Sequence, residues 1–144
     1  MNEQLEANKA LVRRFLDAFS QGDIDAMMEM VVDDYVWQGS DPAEIGVARG
    51  RAAFRAAVSS FKEALPDCTV EILDMVAEGD KVALRFREHG HHTGTAWLGV
   101  KPQGAYVEWF PFAIYRVVGD RLAEEWFTDD PYTIKRCLGI REIT

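Results

Sequence analysis

Two neighbouring aspartates follow the last predicted strand, and their carboxyl groups are able to transfer protons. Side chains at i and i+2 of a strand share a face, so Asp129 is predicted to point to the same side as Phe127. An apolar pocket would raise the pKa of such a carboxyl toward the range of a general acid or base. Asp129 is therefore the first catalytic candidate, with a solvated loop acid as the alternative. Asp130 is a second candidate, but its place before Pro131 favours a helix N-cap.

Three histidines lie close together in residues 89–94, and such clusters can bind metal or shuttle protons. His89 and His91 share a strand face that His92 opposes, and apart from Glu88 no carboxylate or cysteine nearby completes a ligand set. No metal site is therefore predicted. His92 is a further catalytic candidate through hydrogen bonding or proton transfer, with a structural role in a turn as the alternative.

The chain is rich in large aromatic side chains, including four tryptophans. Strand alternation places aromatic residues on both faces of the predicted sheet, so one face is expected to line a pocket and the other to form a homodimer interface. The aromatic residues proposed to contact a substrate are Trp37, Trp109, Trp126 and Phe127.

Three polar side chains are further candidates for substrate contact. Tyr35 and Gln38 could donate hydrogen bonds to a substrate carbonyl, although Gln38 could equally be a plain loop residue. Arg87 could anchor a substrate if it and Glu108 face inward as a buried ion pair. If they face outward they form an ordinary cross-strand surface pair, which is the interpretation we favour.

Composition and the absence of certain motifs exclude several classes of partner and reaction. The 144 residues carry a net charge of −8, which repels phosphate backbones and argues against nucleic acid. Residues 1–9 do not resemble a secretion signal, and no run approaches the ~18 apolar residues of a membrane span. Cys68 and Cys137 have no metal-type spacing and are predicted to be free thiols in a reducing cytoplasm. The sequence contains no glycine-rich phosphate loop, nucleophile elbow or zinc-protease motif.

Helical periodicity dominates the first half of the chain and two-residue periodicity the second. Helices are predicted at residues 5–21, 24–31, 54–65 and 132–138, and a loop at 38–50. Strands are predicted at residues 35–37, 70–74, 82–87, 91–99, 105–118 with a bend at Pro111, and 121–128. This order predicts an α+β class and one domain over residues 1–144. We expect a cone-shaped barrel in which the N-terminal helices pack on a strongly curved mixed or antiparallel sheet, with a pocket at its open end.

A series of short pieces, taken in their order and spacing, carries a family resemblance. They are residues 11–19, 22–23, 35, 92–94, 99–102, 104, 114–116, 119–122, 125–126, 130 and 138–139. Together they resemble the SnoaL-like polyketide cyclases of the nuclear-transport-factor-two-like superfamily over most of the chain.

The resemblance implies a cofactor-independent enzyme of polyketide or antibiotic biosynthesis that holds a hydrophobic polycyclic substrate and forms homo-oligomers through the outer face of its sheet. It also implies a buried aspartate on the last strand as general acid/base for an intramolecular aldol closure. That aspartate directly follows the residue matching Trp126, and here the position is Phe127. Because a phenyl ring cannot exchange a proton, the family's catalytic step does not transfer residue for residue.

The leading hypothesis is a cofactor-independent cyclase or isomerase, of isomerase or lyase type, that binds a hydrophobic polyketide-like molecule. Its catalysis would be general acid/base or based on shape. One alternative is an epoxide hydrolase, dehydratase or hydroxylase on the same scaffold. The epoxide hydrolase needs an Asp–Arg–Asp cluster, to which Arg87 and Asp129 could contribute. The other alternative is a non-catalytic small-molecule-binding module, which the replacement of the family acid by Phe127 favours.

Overall fold

The computed structural model describes residues 2–39 and 47–141 of the chain. Within these residues four helices and seven strands follow one another in the order α1 (Asn2–Gln21), α2 (Ile24–Glu29), β1 (Val31–Gly39), β2 (Val47–Arg49), α3 (Arg51–Ala64), β3 (Thr69–Glu78), β4 (Lys81–His92), β5 (Ala105–Trp109), β6 (Phe112–Val118), β7 (Arg121–Thr128) and α4 (Pro131–Cys137). The predicted α+β class and the helix-first order are confirmed.

The helices form where an apolar stripe and a capping residue coincide. On α1 the stripe that includes Leu11, Phe15 and Phe19 is buried in the core. The side chain of Asp23 accepts a hydrogen bond from the backbone N–H of Ala26 at 3.1 Å, which is the predicted N-cap of α2. These two helices therefore begin and end close to their predicted positions.

Three strand predictions need correction. The strand predicted at residues 35–37 is longer, since β1 begins at Val31 and includes Asp33 and Asp34, which are both exposed beside an irregularity in strand pairing. The strand predicted at residues 91–99 is instead the end of β4 followed by an isolated Trp97–Val100 bridge. The strand predicted at residues 105–118 is divided into β5 and β6 around Pro111, which has no N–H for the sheet ladder. Most of the predicted 38–50 loop, residues 40–46, lies outside the described residues.

The sheet is mixed and open. Its strand order is β2-β1-β7-β6-β4-β3, and β5 pairs with residues 88–92 at the C-terminal end of β4. The sheet does not close into a barrel. The β1–β7 pair is parallel and the remaining pairs are antiparallel. Helix α1 contacts β3, β4 and β7, helix α3 contacts β1 and β2, and helix α4 contacts β5. The helices thus cover one face of the sheet, which we call the inner face.

Across residues 2–39 and 47–141, no helix has the length and apolar character needed to cross a membrane.

Candidate active site

A cavity of about 660 Å³ lies between the helices and the inner face of the sheet. This volume is typical of small-molecule sites. Its wall is mainly apolar, and α4 contributes Pro131, Ile134 and Lys135 to it. Six of the rings that line it are Phe15, Phe54, Phe61, Phe86, Trp97 and Trp109. Such a wall suits a flat apolar ligand, because aromatic rings bury large areas and stack on one another.

The carboxyl end of β7 brings Phe127 and Asp129 into this cavity. Phe127 packs against Trp37 and Phe86, with ring centroids 6.2 Å and 5.9 Å apart. Because Asp129 lies two residues beyond Phe127, it follows the same strand face, and both residues line the cavity as predicted. Trp37 and Trp109 also line the cavity. Contact of these four residues with a substrate stays a prediction.

Asp129 has the electrostatics of a proton-transfer group. Burial raises its pKa to about 6, against the opposing effects of the Asp130 backbone N–H and the Trp109 indole N–H. The indole Nε1 of Trp109 and Oδ1 of Asp129 are both buried without a hydrogen bond of normal geometry to the described residues. Near neutral pH this carboxyl is mostly ionised and able to accept a proton.

Glu125 is a second acid that borders the cavity, but its oxygens are already in use. The Tyr35 hydroxyl donates to Oε1 at 2.6 Å and the Tyr115 hydroxyl donates to Oε2 at 3.2 Å. Burial raises the pKa of Glu125 to about 7, and the hydrogen bonds from the two hydroxyls act in the opposite direction. This group serves as a buried polar link between β1, β6 and β7.

Glu88 is the third acid of the cavity and has no such partners. It lies on β4, is only 6% exposed and lines the cavity. Its side chain makes no hydrogen bond to the part of the chain that the structure describes. Burial raises the pKa of Glu88 well above the ordinary value, and the nearby carboxyls of Asp129 and Glu125 raise it further. Its surroundings therefore favour the neutral form of Glu88 over the charged one.

Sequence reasoning missed Glu88 and Glu125 as cavity residues, although the signal was present. The alternation of apolar residues along β4 continues from Phe86 to Glu88, so this acid occupies an inward position. Glu125 precedes Phe127 by two residues and shares its face in the same way. An acid in phase with buried apolar neighbours is the pattern that would have identified both.

Three predicted contact residues lie on the opposite, outer face of the sheet. Trp126 alternates with Phe127 along β7 and so points away from the cavity, which makes its predicted place in the wall wrong. Gln38 donates to Oε2 of Glu124 at 2.5 Å instead of facing a ligand. Arg87 does not line the cavity either.

The outward position of Arg87 agrees with the interpretation favoured from the sequence. Its guanidinium donates to Glu108 at 2.8 Å and to Glu71 at 3.0 Å on the outer face. Arg87 and Glu108 therefore form a cross-strand surface pair, and Arg87 is not a substrate anchor. It also cannot join Asp129 in an Asp–Arg–Asp cluster, because the two side chains lie on opposite faces of the sheet.

The remaining candidates are inward or terminal residues that serve the fold. Tyr35 is fully buried and directs its hydroxyl to Glu125 instead of to the cavity. His92 is 1% exposed, and its Nε2 lies 2.7 Å from the carbonyl oxygen of Thr95, so it ties down the turn after β4. Asp130 caps α4 by accepting from the N–H and hydroxyl of Thr133 at 3.0 and 2.6 Å. None of these three lines the cavity. The positions of His92 and Asp130 support their structural alternatives, and Tyr35 does not hold the predicted place of a substrate contact.

The other two histidines of residues 89–94 also have local partners. His91 contacts Asp67 at 2.6 Å, and His89 contacts the hydroxyl of Thr69 at 3.0 Å. Among residues 2–39 and 47–141, no three His, Cys, Asp or Glu side chains are arranged to hold a metal ion.

The helix-covered mixed sheet around the acid-lined aromatic cavity has the α+β fold of the nuclear-transport-factor-two-like class. The model of the SnoaL-like polyketide cyclases matches residues 9–138. The chain therefore belongs to the SnoaL-like polyketide cyclase family, as the sequence resemblance indicated. No curated protein matches the chain.

Solved structures agree with this assignment. The polyketide cyclase candidate IdmH from Streptomyces antibioticus is 27% identical, with a TM-score of 0.79, and the match covers 92% of this chain and 98% of that chain. TsrD from Streptomyces laurentii is 25% identical, with a TM-score of 0.80 and coverage of 94% and 97%. The hydroxylase candidate AclR from Streptomyces galilaeus is 24% identical, with a TM-score of 0.83 and coverage of 96% and 99%, and this likeness shows the fold alone.

Proposed function

We propose that this protein is a cofactor-independent cyclase or isomerase that binds a hydrophobic polyketide-like molecule in the aromatic cavity. The observation that carries the proposal is the buried carboxyl of Asp129, whose pKa is raised to about 6 inside that cavity. An acid with this pKa is mostly ionised at neutral pH and still basic enough to remove a moderately acidic proton.

The cavity contributes to the reaction by holding the substrate in a folded conformation. Flat aromatic walls exclude water and restrict the ligand, which converts a loose chain into one whose reacting carbons lie close together. Asp129 then removes a proton from a carbon next to a carbonyl group. This role differs from the family pattern, because the acid acts from two residues beyond the position that Phe127 occupies.

The experiment measures hydrogen–deuterium exchange on 2-tetralone, an aromatic ketone with acidic α-hydrogens, in deuterated buffer at pH 7. Wild-type protein is expected to accelerate the exchange, and Asp129→Asn to lose at least about a hundredfold, the usual contribution of a general base. Asp130→Asn is the matched control, because asparagine caps a helix about as well as aspartate. It should keep the wild-type rate.

A linear poly-β-ketone thioester provides the corresponding assay for ring closure, with product masses and spectra as the readout. Wild-type exchange rates in Asp129→Asn would remove Asp129 from the mechanism. Tight binding of 2-tetralone without exchange or ring closure would instead favour the non-catalytic binding module.

The alternatives on the same scaffold receive less support. An epoxide hydrolase built on Asp129 and Arg87 is disfavoured, because Arg87 forms its ion pairs on the outer face. Hydration or hydroxylation would introduce new oxygen into the product. Reactions in ¹⁸O-labelled water and under ¹⁸O₂ separate these outcomes from cyclisation, which introduces none.

A further inference from the structure

Glu88 occupies an unusual position for an acid, since it is more than nine-tenths buried and opens on the cavity without a hydrogen-bond partner in the described residues. It is the Cα partner of Trp109, so its side chain lies beside that indole ring on the inner face of the sheet. The carboxyl oxygens of Glu88 are not among the fully buried side-chain atoms that lack a partner, so they open on the cavity, where a bound ligand can reach them.

The surroundings of Glu88 determine which hydrogen-bonding form it presents. Asp129 and Glu125 face it from the end of β7, and both disfavour a second negative charge. Lys62 on α3 is the cation that acts to lower the pKa of Glu88. Its Nζ donates to the carbonyl oxygen of Cys68 at 2.7 Å and forms no ion pair with Glu88. Tyr115 also faces it and remains a neutral phenol, because burial raises its pKa well above the ordinary value.

We infer that Glu88 is a second catalytic residue, which donates a hydrogen bond from its protonated carboxyl to a carbonyl oxygen of the ligand. The inference rests on the proposed function and deepens it, because it assigns a hydrogen-bond donor to a carbonyl group of the ligand. A neutral acid can donate its O–H to an oxygen acceptor, whereas a carboxylate can only accept. Asp129 and Glu88 thus divide the roles of base and acid within one cavity.

The two groups account for each proton of an aldol closure. Asp129 removes a proton from the carbon next to the carbonyl, the C–H electron pair forms the enol double bond, and the carbonyl oxygen takes the proton of Glu88. The enol carbon then attacks a second carbonyl carbon to form the new C–C bond. The first oxygen returns its proton to Glu88, and the new alkoxide takes the proton held by Asp129. Both acids end in their starting states, and the step requires no cofactor.

The test compares two ligands of nearly equal shape, 2-tetralone and the hydrocarbon tetralin, which lacks the carbonyl. Their dissociation constants are measured by titration calorimetry at pH 7 for wild type, Glu88→Met and Glu88→Gln. Glu78→Gln, an exposed acid at the end of β3, is the control. The preference for the ketone over the hydrocarbon is expected to fall about tenfold in Glu88→Met, the value of one hydrogen bond. Glu88→Gln should keep part of it, because its amide N–H also donates.

Infrared spectroscopy of bound 2-tetralone gives a readout that a merely structural role of Glu88 would not change. The carbonyl stretch is expected at lower frequency in wild type than in Glu88→Met, because a hydrogen bond weakens the C=O bond. The hydrogen bond is already tested in wild type alone, by comparing the carbonyl stretch of bound 2-tetralone with that of 2-tetralone in an alkane solvent. An unshifted band in wild type overturns the inference even if a variant fails to fold.

The outcomes distinguish this inference from the proposed function. An unchanged ketone preference in Glu88→Met, together with lost exchange in Asp129→Asn, overturns the role of Glu88 and leaves Asp129 as the base. Lost preference in Glu88→Met with full exchange in Asp129→Asn supports Glu88 and rejects the proposed base. Failure of wild type to bind either compound contradicts both.

Discussion

The hydroxyl of Tyr35 donates a 2.6 Å hydrogen bond to Oε1 of Glu125, although the two residues are 90 positions apart in the sequence. The bond joins β1 to β7, which pair in parallel, and its acceptor Glu125 lines the cavity. It shows how the fold supports its buried acids: tyrosines satisfy Glu125, while Asp129 and Glu88 remain open for a ligand.

The raised pKa of Glu125 predicts how stability depends on pH. Its pKa is 4.5 when unperturbed and about 7 in the fold, so between these values the unfolded state releases a proton that the folded state keeps. Stability contributed by the neutral group is therefore complete below pH 4.5 and is lost as the pH rises toward 7. The loss is about 3 kcal/mol for this shift. Urea unfolding at several pH values should show that decrease in wild type and a decrease smaller by this amount in Glu125→Gln. Parallel curves for the two proteins would contradict the assignment.

A substitution at Phe127 is expected to weaken ligand binding, and this effect is separate from catalysis. Its ring packs between Trp37 and Phe86 in the cavity wall, so Phe127→Leu keeps an apolar surface but removes the stacking geometry. The affinity for 2-tetralone is expected to fall about two- to tenfold, the value of one aromatic pair. Trp126→Leu, on the outer face, should leave the affinity unchanged. Equal losses in the two variants would show that the cavity is not the binding site.

Asp130 is expected to stabilise the protein by capping α4. Loss of its cap in Asp130→Ala leaves the N–H of Thr133 without its acceptor and should lower the free energy of unfolding by about 1 kcal/mol. Asp130→Asn should restore most of that loss, and thermal unfolding of the three proteins measures the series. A hundredfold loss of exchange activity in Asp130→Asn would instead return Asp130 to the catalytic role considered from the sequence.

We propose that this protein forms a homodimer through the outer face of its sheet. One cross-strand row places Val76, Ala83, Ile114 and Trp126 side by side, and Val76 and Ile114 are 64% and 41% exposed. Surface ion pairs such as that of Arg87 with Glu71 flank the row. An apolar centre with a rim of both charge signs is complementary to a second copy of itself.

Light scattering after gel filtration tests the dimer. Wild type should elute with twice the mass of the chain, and Ile114→Glu with the mass of one chain, because an unpaired charge is costly in an apolar interface. Tyr132→Glu is the control, since Tyr132 is also an exposed apolar residue but lies on α4. A monomeric wild type, or an Ile114→Glu variant that stays dimeric, would contradict the proposed interface.

The sequence predicted the elements of this fold because their signals are local. The apolar stripe of α1, the Asp23 cap and the alternation in β7 each depend on neighbouring residues alone. The division of roles between sheet faces was harder to predict. Trp126 and Phe127 are both large aromatic residues, and only the register of β7 against β1 and β6 decides which one lines the cavity.

The acids of the site illustrate the same limit. Parity along one strand was sufficient to predict that Asp129 shares a face with Phe127. The role of Glu125 depends on Tyr35 and Tyr115, which reach it from two other strands. That convergence is a property of the tertiary structure, since no spacing in the sequence encodes which tyrosine hydroxyl meets which carboxyl.

The pH dependence of kcat/KM for 2-tetralone exchange tests the central claim most directly, because kcat/KM reports the ionisation of the free protein. With Asp129 as the base, the rate should rise with pH through a midpoint at about pH 6. Asp129→Asn should lose both the rate and this rise, while Asp130→Asn keeps them. A wild-type profile without a transition near this pH, or the same profile in Asp129→Asn, would contradict the account.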